Sequence, residues 1–467
     1  MTQHLPAGPT LAFGAATAAY QIEGAAREDG RGTSIWDTFA ARPGAIRDGR
    51  DGSVACDSYH RFEEDLDLVA GLGAGWYRFS VAWPRIVPAG TGAVEPRGLD
   101  YYDRLVDAAL ARGVRPTATL YHWDLPQPLE DRGGWLERST AEAFADYAMV
   151  VHDRLGDRVR VWATHNEPWC AAYLGYAAGI HAPGRREGGA GHRAAHHLNL
   201  GHGLAAARLH DAGVTDLGIV HNLAPFWPES PAAAGAADEL DAVRNRIWTG
   251  PLAEGAYDEG LLRVAPELAD PALVRDGDLA LVRGSADWIG VNYYTPFRPA
   301  LADPGLDVHP EIEAYPGVTP VSFVVREPRT DIGWEVDAAG LEAVLVQTHE
   351  RTGLPIVVTE NGAACADDAV VAGPDGRPMV DDGDRIDYLR EHLAATEAAR
   401  GAGADVRGYF VWTLLDNFEW AEGYTKTFGI VHLAPSTLTR TPKASYHWLA
   451  EHIASAPSET GRRPVSP

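Results

Sequence analysis

The sequence predicts an α/β fold: a single (β/α)8 TIM barrel with long βα loops. Three observations carry that prediction. Short apolar runs alternate with amphipathic stretches along the chain, eight of each. No linker, repeat or low-complexity block divides the 467 residues. A barrel needs about 250 residues, so the excess falls into loops after the strands. Polar and aromatic residues also recur where the apolar runs end, which is where a barrel gathers its chemistry.

The first strand is read at residues 11–15, followed by a loop through Gln21. Residues 58–71 have helical periodicity, with Phe62, Leu66 and Val69 apolar and Glu63, Glu64, Asp65 and Asp67 on the wet side. The second strand is 76–81. A helix over 99–112 is stopped by Gly113. The third strand, 115–121, ends on His122-Trp123-Asp124. A helix over 139–155, with Ser139 or Thr140 as N-cap, closes at Gly156. The fourth strand ends at Asn166-Glu167-Pro168.

The helix at 192–212 leads to a fifth strand at 217–222, and the helix at 238–257 to a sixth at 287–293. The helix at 337–352 precedes Leu354-Pro355-Ile356-Val357-Val358-Thr359-Glu360-Asn361-Gly362. Its continuous β-branched run is the pattern of a parallel strand covered on both faces, and Asn361-Gly362 ends it. The helix at 385–401, the last strand at 406–412 and the helix at 444–453 complete the alternation. Loop 295–333 is the longest. Loop 366–383 is acidic (Asp367, Asp368, Asp375, Asp381, Asp382), with Pro374-Asp375-Gly376 as a hairpin turn. Residues 1–455 read as one catalytic domain, and 456–467 as a flexible tail.

The net charge of −25 argues against nucleic acid or an anionic membrane surface as partner. Cys56, Cys170 and Cys365 show no CxxC or Cys/His zinc spacing, so reduced thiols in a cytoplasmic protein are expected. Residues 1–9 lack the basic and apolar regions of a secretory signal. No run approaches the roughly 18 apolar residues of a membrane span. Fourteen Trp is high for this length, and Trp is a good platform for sugar rings.

The strand ends carry Gln21, Arg78, His122-Trp123, Asn166-Glu167, Asn292 with Tyr294, Glu360 and Trp412; the fifth strand offers no obvious group. Glu167 and Glu360 are far apart in sequence, so only a closed fold brings them together. Two carboxyls, many hydrogen-bonding side chains and Trp platforms suit glycoside hydrolysis. Arg78 beside a carboxylate would keep it ionised, and Tyr294 would hold it in position.

The chain resembles glycoside hydrolase family 1, the β-glucosidase family, in seven ordered stretches. They are FGAATAAYQIEGA (13–25), YRFSVAWPR (77–85), HWDLP (122–126), THNEPW (164–169), GVNYYT (290–295), VTENG (358–362) and FVWTLLDNFEWAEGY (410–424). The resemblance implies a retaining β-glucosidase without cofactor or metal, acting on a small-molecule β-glucoside. Glu360 would be the nucleophile and Glu167 the acid/base, about 5–5.5 Å apart. Arg78, Tyr294 and Asn292 would support the nucleophile. Gln21, His122, Trp123, Asn166, Glu419 and Trp420 would grip the sugar, with Asn166 on the 2-OH and Trp412 under the ring. Phe428 would join that binding set, and Trp334 would line the leaving-group side.

Family members acting on 6-phosphosugars replace the pair that stands here as Glu419-Trp420, so a phosphosugar should be repelled. Thioglucoside-cleaving members lack the acid/base Glu, which is present here as Glu167. Gln21 with Glu419 could accept either C4 epimer, which points to dual glucosidase/fucosidase activity. A β-galactosidase or transglycosylase on the same site remains open, as does a non-catalytic sugar-binding barrel. Cys170 reads as a packing residue beside the pocket. His192, His196, His197 and His202 read as packing rather than as a metal site. Gly71-Leu72-Gly73-Ala74-Gly75 precedes a strand instead of opening a helix, so it fails as a nucleotide loop.

Overall fold

The structure is a computed structural model that describes residues 4–6, 8, 10–302, 310–366, 369–373, 376 and 378–456. Eight parallel strands close into a barrel: β1 Ala12–Ala16, β2 Trp76–Ser80, β3 Arg115–Tyr121, β4 Val161–Asn166, β5 Asp216–Asn222, β6 Trp288–Asn292, β7 Ile356–Asn361 and β8 Val406–Trp412. Each pairs with its sequence neighbours, and β1 with β8 completes the ring in the register Ala12↔Gly408 to Ala16↔Trp412. The expected strands all form, within one or two residues of their read ends.

Two apolar layers follow from the alternation of side chains along each strand. One fills the barrel itself, with Trp76, Val161, Ala163, Val220, Trp288, Val357 and Phe410. The other lies between the barrel and the surrounding helices, with Tyr77, Phe79, Leu120, Ile219, Ile289 and Tyr409 among its members. Small residues make room for the large ones inside. A Cβ on Gly218 would lie 2.3 Å from the Trp288 indole, and one on Gly14 2.9 Å from the Phe410 ring.

Four expectations need correction or completion. The helix expected at 139–155 is Arg138–Leu155, and its start has no side-chain cap. Thr140 Oγ1 instead donates to the Gly134 carbonyl at 2.6 Å, tying the helix to the preceding turn. The helix expected at 238–257 is divided into Ala234–Asp241, a π-helical turn Ala242–Arg246, and Ile247–Glu254. The wider turn lets Asn245 pair with the backbone of Ala224 and Arg244 with the carbonyl of Asn222. A second π-helical segment, Cys170–Ala177, follows β4 where no helix was expected. The long loop after β6 contains a hairpin of Arg298–Leu301 with Val321–Val324.

The expected hairpin of the acidic loop forms between Val370–Ala372 and Pro378–Val380. Pro374, Asp375, Asp367 and Asp368 lie outside the described residues, as does 457–467 of the predicted tail. The last helix runs to Ser455. Among the described residues, no helix is long and apolar enough to cross a membrane.

Candidate active site

The C-terminal ends of the strands open into a cavity of about 450 Å³. His122, Trp123, Glu167, Trp334, Tyr294, Glu360, Trp412, Glu419, Trp420 and Phe428 line it. Gln21, Arg78, Asn166 and Asn292 are fully buried and form a supporting layer. Every residue proposed from the sequence is therefore on this wall or hydrogen-bonded to a residue that is.

Glu360, near the end of β7, is 2% exposed. Arg78 Nη1 donates to its Oε1 at 2.6 Å, and the Tyr294 hydroxyl donates to Oε2 at 2.8 Å. Burial pushes the Glu360 carboxyl up to about 7, against the pull of Arg78 and with a push from Glu167. Burial and the charge of Glu360 raise the Tyr294 phenol far above its ordinary value, so it stays a donor.

Glu167 follows β4 at φ +43°, a left-handed conformation that is uncommon for a residue with a side chain. The pairing of β4 with β5 shifts register between Ala163 and Asn166, and the Glu167 N–H reaches the Val220 carbonyl at 2.8 Å. This irregularity turns the carboxyl into the cavity, a known use of bulges near active sites. Asn292 Nδ2 donates to Oε1 at 2.7 Å, Asn222 Nδ2 donates to the same oxygen at 3.2 Å, and Cys170 Sγ lies 3.2 Å from Oε2. Asn292 thus serves Glu167, not Glu360 as the sequence reading had it. Its neighbour across the register is Glu360, but its side chain leans toward β4.

Asn166 ties the two carboxyls together. Its Oδ1 accepts from Arg78 Nη2 at 2.7 Å and from Asn292 Nδ2 at 3.0 Å. Its amide nitrogen is 3.0 Å from His122 Nε2. Burial, then Arg78, lowers the His122 imidazole well below its ordinary value, so the ring is neutral. Gln21 Nε2 donates to Asn417 Oδ1, the Phe418 carbonyl and Glu419 Oε2. Burial and the two other glutamates push Glu419 up to about 8. Gln21 Oε1 and His122 Nδ1 are buried without a hydrogen-bond partner among the described residues. Buried polar atoms are normally paired, so these are places for a ligand's polar groups.

The aromatic wall is built on bent backbone. Trp123 has φ +74° and Trp420 φ +45°, and their rings pack with centroids 4.4 Å apart. Trp123 Nε1 donates to the Asn166 carbonyl at 2.8 Å. Trp334, Tyr294 and Phe428 form a second cluster at the mouth, with centroids 5.4–6.1 Å apart. A narrow apolar hollow adjoins this mouth, walled by Phe297, Phe323, Val324 and Leu223 and sharing Asn222, Arg244, Tyr294 and Trp334 with the main cavity.

The sequence reading missed Asn222, Arg244 and Asn417. Asn222 ends β5, so the fifth strand does contribute to the site; the strand-end rule applied there would have found it. Arg244 comes from the π-helical turn, which left no signal in the periodicity. The four histidines each have structural partners. His192 meets Tyr173 and the Pro316 carbonyl, His196 meets Tyr257 and Asp278, His197 meets the Trp135 carbonyl, and His202 meets Thr164 and Ser285.

The model of glycosyl hydrolase family 1 matches residues 1–457. A bifunctional β-D-glucosidase/β-D-fucosidase of Bifidobacterium breve is 44% identical over 97% of this chain and 99% of its own length. The thermostable β-glucosidase B of Thermobispora bispora is 48% identical over 94% of this chain and 89% of its own. The crystal structure of a psychrophilic β-glucosidase from Micrococcus antarcticus superposes with a TM-score of 0.89 at 43% identity, covering 95% of this chain and 97% of that one. With the barrel, the two carboxyls and these matches together, the chain belongs to glycosyl hydrolase family 1.

Proposed function

We propose that this protein is a retaining β-glucosidase that releases terminal β-D-glucosyl residues from oligosaccharides or from aryl and alkyl glucosides. The observation that carries the reading is the unequal support of the two carboxyls. Glu360 is held by a guanidinium and a phenol, which favour its ionised form. Glu167 is held by two neutral amides and a thiol. Two carboxyls in different environments can divide the roles of nucleophile and acid.

In the first step a Glu360 oxygen attacks the anomeric carbon. The bond to the leaving oxygen breaks, and that oxygen takes the proton of Glu167. A glycosyl ester on Glu360 results. In the second step Glu167, now a carboxylate, takes a proton from water; the water oxygen attacks the anomeric carbon and Glu360 is released. His122, Gln21, Glu419 and Trp420 supply donors and acceptors for the sugar hydroxyls, Asn166 faces the 2-OH, and Trp412 lies under the ring. The apolar surroundings of Trp334 receive the leaving group.

The Bifidobacterium relative is named for both glucosidase and fucosidase activity, which favours the same pair of activities here. We place the enzyme in the cytoplasm, in keeping with three cysteines that show no CxxC or Cys/His zinc spacing. Residues 1–455 are read as one catalytic domain.

The test is incubation with a 2-deoxy-2-fluoro β-glucoside carrying a good leaving group, followed by intact mass and peptide mapping. One fluoroglucosyl on the Glu360 peptide supports the nucleophile, the retaining course and the gluco specificity together. An adduct on another carboxyl overturns the assignment of Glu360. No adduct and no turnover of the parent aryl β-glucoside favours a different sugar or a binding protein.

A further inference from the structure

The two oxygens of Glu167 have different surroundings. Oε1 accepts two amide N–H bonds, from Asn292 at 2.7 Å and from Asn222 at 3.2 Å. An oxygen engaged by two donors has no room for a proton of its own. Oε2 meets the Cys170 sulfur, 3.2 Å away, and among the described residues accepts no amide N–H; Cys170 lines the same cavity. A thiol is a weak donor and a weak acceptor. It can stabilise a carboxylate oxygen without holding back a proton that must leave.

We propose that Asn222 and Cys170 are positioning residues for Glu167: the amide reserves Oε1 as an acceptor, so that Oε2 carries the proton given to the leaving group, and the thiol accompanies Oε2 through both steps. The proposal rests on the acid/base role of Glu167. In the first step the O–H bond at Oε2 breaks and its proton passes to the glycosidic oxygen, which keeps the electron pair of the broken C–O bond. In the second step Oε2 takes a proton from the attacking water.

Both residues are held in place for this task. Asn222 pairs in register with Asn292, and its carbonyl accepts from Arg244 Nε at 3.0 Å. The Arg244 guanidinium lies 3.8 Å from the ring centre of Trp169, two residues beyond Glu167. Cys170 opens the π-helical segment, and its N–H donates to the Glu167 carbonyl at 2.9 Å. Asn222 also borders the apolar hollow beside the main cavity, so it stands between the acid and the leaving group.

The test is kcat/KM on aryl β-glucosides whose leaving groups range from 2,4-dinitrophenol to phenol. Acid assistance matters for phenol and hardly at all for dinitrophenol. Asn222→Ala is expected to lose at least about 10-fold on the phenyl glucoside and no more than about threefold on the dinitrophenyl one, within the range of general acid catalysis. Cys170→Ala should show the same pattern at smaller size, with Cys170→Ser closer to wild type. Equal losses on both substrates, or none, in both the Asn222 and Cys170 variants would overturn the proposal. Glu167→Ala is the control. If it too lacks leaving-group dependence, the acid role of Glu167 fails. If it shows the dependence while the other variants do not, only this inference fails.

Discussion

Arg78 donates through one guanidinium nitrogen to Glu360 at 2.6 Å and through another to Asn166 at 2.7 Å. One buried cation therefore fixes the Glu360 carboxyl and, through Asn166, the layer that carries Asn292 and His122. Its Nε is held by Thr119 Oγ1 at 3.1 Å, so the guanidinium has little freedom to turn.

Removing that charge should move the acidic limb of activity. Arg78 is the largest influence lowering the Glu360 carboxyl, which stands at about 7. The nucleophilic role proposed for Glu360 requires its ionised form. In Arg78→Gln the carboxyl rises, so activity is lost at higher pH as pH falls. The limb of kcat/KM should shift upward by about one to three units. An unmoved limb in a folded variant would contradict the role given to Arg78.

Tyr294→Phe removes a single hydrogen bond to Glu360 while keeping the ring packed on Trp334 and Phe428. A bond to a charged group contributes about 1.5–3 kcal/mol, so kcat/KM should fall roughly 10- to 100-fold. The melting temperature should change little. Steady-state kinetics with a thermal melt separates the two effects.

Asp124 is fully buried, its carboxyl oxygens have no side-chain partner among the described residues, and burial pushes it up to about 8. The folded chain then holds this proton more tightly than the unfolded chain, whose Asp titrates near pH 4 (about 3.9). Its contribution to stability is complete below about pH 4 and is lost as pH rises to about 8. Glu360 and Glu419 act with the same sign. Asp124→Asn should therefore reduce the fall in melting temperature between about pH 5 and about pH 8, within that window. An unchanged fall would remove Asp124 from the account.

Gly218 allows Trp288 to lie inside the barrel, since a Cβ there would come within 2.3 Å of the indole. Gly218→Ala should cost about 1–3 kcal/mol through overpacking. Trp288→Phe in the same chain should recover part of the loss. Chemical denaturation of the single and double variants checks the coupling.

Much of the site was legible because the barrel turns a local pattern into a shared location. Glu167, Glu360, Asn292 and His122 each lie at or next to a strand end, so a linear rule located them, whereas Arg78 lies in the middle of β2 and reaches the site through the length of its side chain. Asn222 obeyed the same rule and was passed over because an Asn after a plain apolar strand carries no chemical signal of its own. Asn292 was assigned to the wrong carboxyl because register determines a neighbour while side-chain direction determines a partner. Arg244 and Cys170 sit on π-helical turns, and the extra residue in such a turn displaces side chains from the faces that a 3.6-residue period would give them.

The sequence by itself determined the alternation of strands and helices and the identity of the chemical groups. These follow from side-chain period, turn residues and motifs, all of which are local. The tertiary structure alone decided which group serves which. The two carboxyls differ because one meets a guanidinium and the other two amides, and those contacts come from strands distant in sequence. Hydrogen bonds act over about 3 Å and depend on angle, so they are set by the closure and stagger of the barrel and not by position along the chain.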